Sequence, residues 1–353
     1  RIMLLAQVFP LVIGNFLTGI LQSFKHFLIP ALAPVVYNVG IILGIMILSP
    51  RFGLYGPVFG VVLGALLFML IQLPLVLSLG YRHRWGFGFK DEGVREVGHL
   101  MLPRTFGLAV AQIDTTADLI LATLLGARMV TIFNFAQHLQ QLPVGLFGAT
   151  IAQAALPTLS EIKAKKNPEE FKAIFLASFH QILFLVMPLS MLLIVLRIPM
   201  VRLVFGASRF DWQATVLTGQ TLAFFSVSLF AQALIQLLAR GFYALYDSKT
   251  PVIIGVFSVL INTGLSVFFI TILKLPVWGL AVSTSVASLF NFFLLLFFLD
   301  KKVGGFNRAS LFWPGLKIFL ASLVTGVFLY LPMRLLDQLV FDTTRTINLI
   351  ALT

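Results

Sequence analysis

The sequence predicts an all-α polytopic membrane protein built on a parallel internal repeat. Three observations carry this. Of 353 residues, 59% are hydrophobic and only 11% charged, with a mean hydropathy of +1.00; a soluble domain would need far more charge on its surface. Ten apolar stretches lie at 2–21, 29–49, 56–80, 101–125, 131–156, 173–196, 215–239, 252–273, 277–299 and 310–332. Each is close to the ~20 residues that a helix needs to cross hydrocarbon. The third observation is a polar turn joining two of these spans, Arg240-Gly241-Phe242-Tyr243-Ala244-Leu245-Tyr246-Asp247-Ser248-Lys249-Thr250-Pro251, with a weaker echo at Leu21 to Pro30.

Residues 1–80 carry three spans, the remainder of a first lobe. Asn38-Val39-Gly40 sits in the span after the early turn, and Asn262-Thr263-Gly264 sits in the span after the later one. Gly56-Pro57-Val58-Phe59-Gly60 opens the next span, as Gly279-Leu280-Ala281-Val282-Ser283 opens its counterpart. The offsets are 224 and 223, so register holds across two helices. Small residues at these points let helices approach closely.

The polar connection 81–100 is expected to be a cytoplasmic loop dividing the lobes, and 101–300 to form a second lobe of six spans. Within it, Ser160 to Lys172 reads as an interfacial helix or a solvated loop, with Asn167-Pro168-Glu169-Glu170 as a helix start. Around the polar turn, Gly241, Tyr243, Asp247, Lys249 and Pro251 shape a cytoplasmic connection, and Thr250-Pro251 starts the next helix. Residues 301–353 are expected to be accessory helices, the last one incomplete. The chain opens on Arg1 and ends as a new apolar run begins, so it reads as a piece of a longer protein, with three further spans expected upstream.

The net charge is +12. It divides between loops and forms no single patch, so anionic lipid headgroups, not nucleic acid, are the expected partners. If the first span runs outside to inside, fifteen Lys and Arg fall after odd-numbered spans and nine on the other side. The positive-inside rule then assigns the richer side to the cytoplasm.

Charges at membrane depth cost about 2.5–3.5 kcal/mol each even on a mild insertion scale, and those that persist face a cavity or a partner. The fourth span carries Arg104, Gln112, Asp114 and Asp118, with both aspartates on one helix face. The fifth carries Gln137, His138, Gln140 and Gln141, the seventh carries Gln232, Gln236 and Arg240 at spacing four, and the eighth carries Asn262. Together they suggest a hydrated cavity lined by the second lobe. Each has a plainer alternative: Asp118 could pair with a base, Asp114 could bond across helices, His138 could be a satisfied interior imidazole, and the Gln stripe could be helix glue. The later spans, rich in Phe290, Phe292, Phe293, Phe297 and Phe298, are expected to face lipid.

Enzyme signals are poor. With no cysteine there is no thiol chemistry or disulfide, and no nucleophile elbow, phosphate loop or zinc-protease pattern occurs. A membrane-embedded glycosyltransferase would need a large extracytoplasmic loop, and the loops here are short.

At several points the chain resembles the MurJ (MviN) lipid II flippases of the MOP exporter superfamily. The resemblance rests on Pro30-Ala31-Leu32-Ala33-Pro34 with Tyr37-Asn38, Pro103-Arg104-Thr105-Phe106-Gly107, Gln141-Leu142-Pro143-Val144-Gly145-Leu146-Phe147-Gly148, Leu203-Val204-Phe205-Gly206, and Gly241-Phe242-Tyr243-Ala244-Leu245 with Asp247 and Lys249-Thr250-Pro251. It covers almost the whole chain in order and implies about the fourth to the fourteenth helix of a bundle of about fourteen. It also implies a bacterial inner-membrane transporter that is not an enzyme. Such a protein flips the undecaprenyl-pyrophosphate-linked peptidoglycan precursor by alternating access, in cell-wall biogenesis and cell shape. It would work with membrane phospholipid and cell-wall synthesis proteins around it, without a cofactor, and with sodium or proton coupling. A polysaccharide-precursor flippase or a multidrug antiporter of the same superfamily is the alternative. On this reading His138, Gln137, Gln141, Gln236 and Arg240 are the expected substrate contacts, and Asp118, Asn262 and Thr284 the expected ion ligands. Two departures stand out: His138 occupies a position where the family usually has a cavity arginine, and Ser266 stands where a second carboxylate is expected.

Overall fold

The computed structural model describes residues 2–24, 26–81, 92–164, 167–206 and 211–339, and every described regular element is helical. The chain divides into two compact units, 1–90 and 91–353.

The first unit holds α1 (Ile2–Ser23), α2 (Leu28–Leu43), α3 (Ser49–Phe52), α4 (Tyr55–Leu70) and α5 (Leu73–Ser78), with a π-helical segment, Gly44–Leu48, between α2 and α3. Its central feature is a glycine seam. A Cβ on Gly44 would overlap the Gly60 backbone, and one on Gly40 would overlap that of Gly64. The helices α2 and α4 therefore touch through main chain, the contact that small residues permit in a membrane, where burial from water drives no association. Gln72, fully buried, bridges the break between α4 and α5: it accepts from Thr18 Oγ1 at 2.7 Å and donates to Phe68 O at 2.9 Å.

The second unit holds α6 (Glu92–Leu124), α7 (Ala127–Pro143), α8 (Thr150–Ala164), α9 (Pro168–Val195), α10 (Arg197–Phe205), α11 (Trp212–Val227), α12 (Leu229–Ala244), α13 (Lys249–Val267), α14 (Trp278–Lys302) and α15 (Arg308–Leu339). π-helical segments at Val144–Ala149 and Phe268–Ile272 join α7 to α8 and extend α13. Its apolar interior is knit by aromatic rings: Phe175 of α9 stacks on Phe306 with centroids 5.4 Å apart, and Phe133 meets Phe225 at 5.6 Å.

Among the described residues, eight helices are long and apolar enough to cross a membrane, or up to nine if the bent pair α11–α12 is one span. The fourth expected stretch, 101–125, is helical as far as Leu124 within α6, where Arg104 is among the side chains outside the described set. Four expectations are corrected. The seventh span, read as one helix over 215–239, is two helices bent by 45° around Ser228. Ser160 to Lys172 is no separate helix: Ser160 lies in the last turns of α8, which runs on to Ala164, and Asn167 caps the long α9, accepting from the Glu170 amide at 3.3 Å. The loop expected over 81–100 lies partly outside the described residues, and its end is already helix from Glu92. Phe292 does not face lipid but is buried, because it packs against Phe179 and Phe230.

Candidate functional site

Three helices of the second unit bring polar side chains to one buried point. α6 supplies Asp114 and Asp118, four residues apart and so on one face. α13 supplies Asn262 and Ser266 at the same spacing, and α14 supplies Ser283 and Thr284. Asp118 is 3% exposed and Asn262 1%. The Asn262 amide Nδ2 donates to Asp114 Oδ1 at 2.8 Å and to Asp118 Oδ2 at 3.1 Å. Ser266 Oγ donates to Asp118 Oδ1 at 2.9 Å. Ser266 and Ser283 meet at 2.6 Å, a contact in which either hydroxyl can donate, and Ser283 Oγ also lies 2.8 Å from Leu280 O. Thr284 Oγ1 donates to its own Leu280 O at 2.9 Å and lies 3.4 Å from Asp118 Oδ2. One buried atom of the cluster has no partner: Asn262 Oδ1.

The structure thus joins Asp118, Asn262 and Thr284, the three residues expected to be ion ligands, in one cluster. It adds Asp114, Ser266 and Ser283. The i, i+4 pairs Asp114/Asp118 and Asn262/Ser266 were legible as shared faces; that these faces meet was not. Every donor here is a hard oxygen, the set that suits a cation with little preference for nitrogen or sulfur.

A second polar chain explains the bend at Ser228. The Ser228 amide bonds Phe225 O at 3.2 Å, a tightened turn that leaves Phe224 O without its usual helical donor. Ser285 Oγ of α14 fills that place at 2.7 Å. Ser228 Oγ in turn donates to Ser285 Oγ at 3.0 Å and accepts from Gln232 Nε2 at 3.0 Å, and Gln232 bonds Gln140 of α7. Gln232 of the glutamine stripe is therefore an interhelical partner of Gln140, the role of the plainer alternative.

The residues expected to contact substrate are not gathered by hydrogen bonds. His138 and Gln141 are exposed on α7 and Gln137 is half-buried beside them. His138 lies ten to twelve residues into its helix, about 16 Å along the axis. Arg240 Nη1 turns back onto its own helix, donating to Gln236 O at 3.0 Å and lying 3.4 Å from Gln236 Oε1.

The polar turn is built around Asp247. Its carboxylate accepts from the Lys249 and Thr250 amides at 3.1 and 3.0 Å and from Thr250 Oγ1 at 2.7 Å, and it pairs with Lys302 at the end of α14. Desolvation opposes ionisation there, but the bonds from Lys302 and Thr250 hold the carboxyl down to about 2. Tyr246 takes a left-handed conformation, φ 59°, to make the turn. Pro251 sits in the first turn of α13, where a missing amide hydrogen costs nothing. Gly241 lies where a Cβ would come within 3.0 Å of Phe175 and 3.2 Å of Leu299, so a side chain there would wedge α12 from α9 and α14. Lys302, the basic partner of Asp247, was not legible, since it lies 55 residues further on.

A helical bundle with a buried carboxylate in its apolar zone is the design of a multi-pass transporter. The same fold recurs in solved structures: a lipid II flippase MurJ in an inward closed conformation, with TM-score 0.77, 23% identity, and coverage of 98% of this chain and 69% of that one; and an inward-facing multidrug resistance MATE transporter of the MOP superfamily, with TM-score 0.74, 18% identity, and coverage of 86% and 70%. Residues 1–346 match the family of the lipid II flippase MurJ, and the chain belongs to that family. Curated relatives include the lipid II flippase MurJ of Burkholderia cenocepacia, 30% identical over 90% of this chain and 62% of the relative. The probable lipid II flippase MurJ of Haemophilus influenzae is 29% identical, over 89% and 63%. The chain thus spans a little under two thirds of the length of these relatives. It is a multi-pass inner-membrane protein of a transporter family, not an enzyme family.

Proposed function

We propose that the intact protein carries lipid II, a polyprenyl-pyrophosphate-linked peptidoglycan precursor, from the cytoplasmic to the periplasmic leaflet by alternating access. The family match along nearly the whole chain supports the substrate, and the buried cluster at Asp118 supports a transporter that binds a cation as it cycles. A carboxylate in a membrane interior persists where it has work to do. A cation there would be held by the carboxylate of Asp118, the carbonyl of Asn262 and the hydroxyls of Ser266 and Thr284. It would supply the positive charge that lets Asp118 stay ionised in low dielectric. Sodium and a proton both suit this role: the unpartnered buried Asn262 Oδ1, turned toward the acids, would bind a metal cation or accept from a protonated carboxyl.

His138, with Gln137 and Gln141 beside it, offers hydrogen bonds to a polar headgroup at mid-depth. Gln236 and Arg240 offer a second set nearer the Asp247 turn, with the guanidinium suited to a pyrophosphate. Membrane phospholipid surrounds the bundle, and cell-wall synthesis proteins are its natural neighbours in this pathway.

The test is complementation by the full-length parent in a bacterium depleted of its own lipid II flippase, with Asp118→Asn and His138→Ala alongside. Rescue by the parent and its loss in Asp118→Asn are the expected results. A well-expressed, membrane-inserted parent that fails to rescue would sink the lipid II reading, and a polysaccharide precursor or a drug would become the substrate to try.

A further inference from the structure

We propose that Asp114 is the second carboxylate of the cation site and that the Asn262 amide stands in for the cation when none is bound. The proposal rests on the cation reading above and deepens it. The position on α13 that could have supplied a second acid, one turn after Asn262, is a serine, Ser266, and its hydroxyl is committed to Asp118. The second acid comes instead from α6, one turn before Asp118.

The geometry is specific. Two carboxylates from one helix converge on a single amide nitrogen, at 2.8 and 3.1 Å. The nitrogen carries two hydrogens, one for each acid, and so fills the place that a small cation would fill between them. The same arrangement leaves Asn262 Oδ1 buried with no donor. Such orphans are rare and ask for a reason. The terminal amide torsion is roughly two-fold, so half a turn exchanges nitrogen and oxygen with little change in shape. After that turn the carbonyl, now idle, would face the carboxylates as a ligand. Cation binding and the amide's bonds to the acids thus exclude one another. The two acids differ in burial: Asp118 is enclosed and Asp114 only half-buried. Asp114 is the open side of the site, and the amide lies between it and the enclosed ligands.

The prediction concerns affinity for a hard monovalent cation, with sodium as the probe. The full-length parent, purified in detergent, is unfolded by heat in choline chloride and in sodium chloride at constant ionic strength. Sodium is expected to raise the midpoint of the native protein, because a ligand that binds only the folded state stabilises it. Asp118→Asn is expected to abolish the sodium response. Asp114→Asn is expected to raise the half-saturating sodium concentration roughly tenfold or more, through loss of one nearby negative charge. Asn262→Leu is expected to lower the sodium-free midpoint and remove the response.

A native sodium midpoint in Asp114→Asn overturns the role of Asp114 and leaves the Asp118 site standing. A sodium-free midpoint unchanged in Asn262→Leu overturns the stand-in role of the amide. No sodium response in the native protein overturns the whole proposal and leaves Asp118 with a proton as its only candidate. Because Asn262→Leu removes a buried polar group and could prevent folding, Asn262→Asp serves beside it. That variant places a third acid at the point, and it should fold less stably than native without sodium and recover most of the difference when sodium is added.

Discussion

The helix pair α2–α4 in the first unit and the pair α13–α14 in the second are copies of one sequence plan, yet one is dry and the other polar. At the repeat offsets, Gly60 corresponds to Ser283, Val61 to Thr284 and Ile42 to Ser266. In the first unit Gly60 packs backbone to backbone against Gly44 while Val61 and Ile42 bring only apolar side chains; in the second the matching hydroxyls gather around a carboxylate. Asn38 and Asn262 also correspond, but Asn38 is exposed and donates to its own Pro34 O at 3.1 Å, whereas Asn262 reaches across to α6. The first ninety residues contain no Asp or Glu at all, so no acid within the first unit could meet Asn38. A repeat supplies two equivalent crossings. The difference teaches that a carboxylate from a third helix, with hydroxyls on the facing residues, turns such a crossing into a site.

That contrast can be broken most severely at the seam. Gly44→Leu puts a side chain into the Gly60 backbone and should cost about 3 kcal/mol, seen as loss of monodisperse protein on detergent size exclusion. Ser283→Ala, at the polar crossing, should cost only about 1 kcal/mol. If the two cost the same, the seam is not backbone contact.

At the second crossing the larger effect is functional. Asp118→Asn keeps the shape of the side chain and should leave the fold in place, yet reduce lipid II translocation at least roughly tenfold, the size of one lost charged interaction of about 1.4 kcal/mol. Transport at the native rate in proteoliposomes would remove Asp118 from the cycle.

Ser285→Ala tests the neighbouring polar chain. It strips Phe224 O of its donor and should cost about 2 kcal/mol of thermal stability. A loss well below this would mean that the bend around Ser228 does not need α14.

The smallest effect is at the turn. The Lys302–Asp247 pair, partly exposed, should show a coupling of about 0.5 kcal/mol in a double-mutant cycle. Because the folded carboxyl is held down to about 2, below its ordinary value near 4, its contribution is complete above pH 4 and fades as pH falls through 2. The melting temperature should be insensitive to this group between pH 5 and 8, and Asp247→Asn should remove its share of the acid dependence only.

Much of this was written in the chain. The apolar runs set the helices because a membrane interior leaves the backbone no partner but itself. The Asp247 turn declared its helix start through residues adjacent in sequence, and the shared faces of Asp114/Asp118 and Asn262/Ser266 follow from a 3.6-residue period. The bend at Ser228 was not legible. No proline marks it, and the hydroxyl that holds it open lies 57 residues away on α14. The same holds for the cluster itself. Sequence determined which side chains share a helix face, because that is fixed by local geometry. Only the tertiary structure decided that the faces of α6, α13 and α14 meet at Asn262, because that depends on how three helices pack, and packing is set by contacts between residues more than a hundred positions apart.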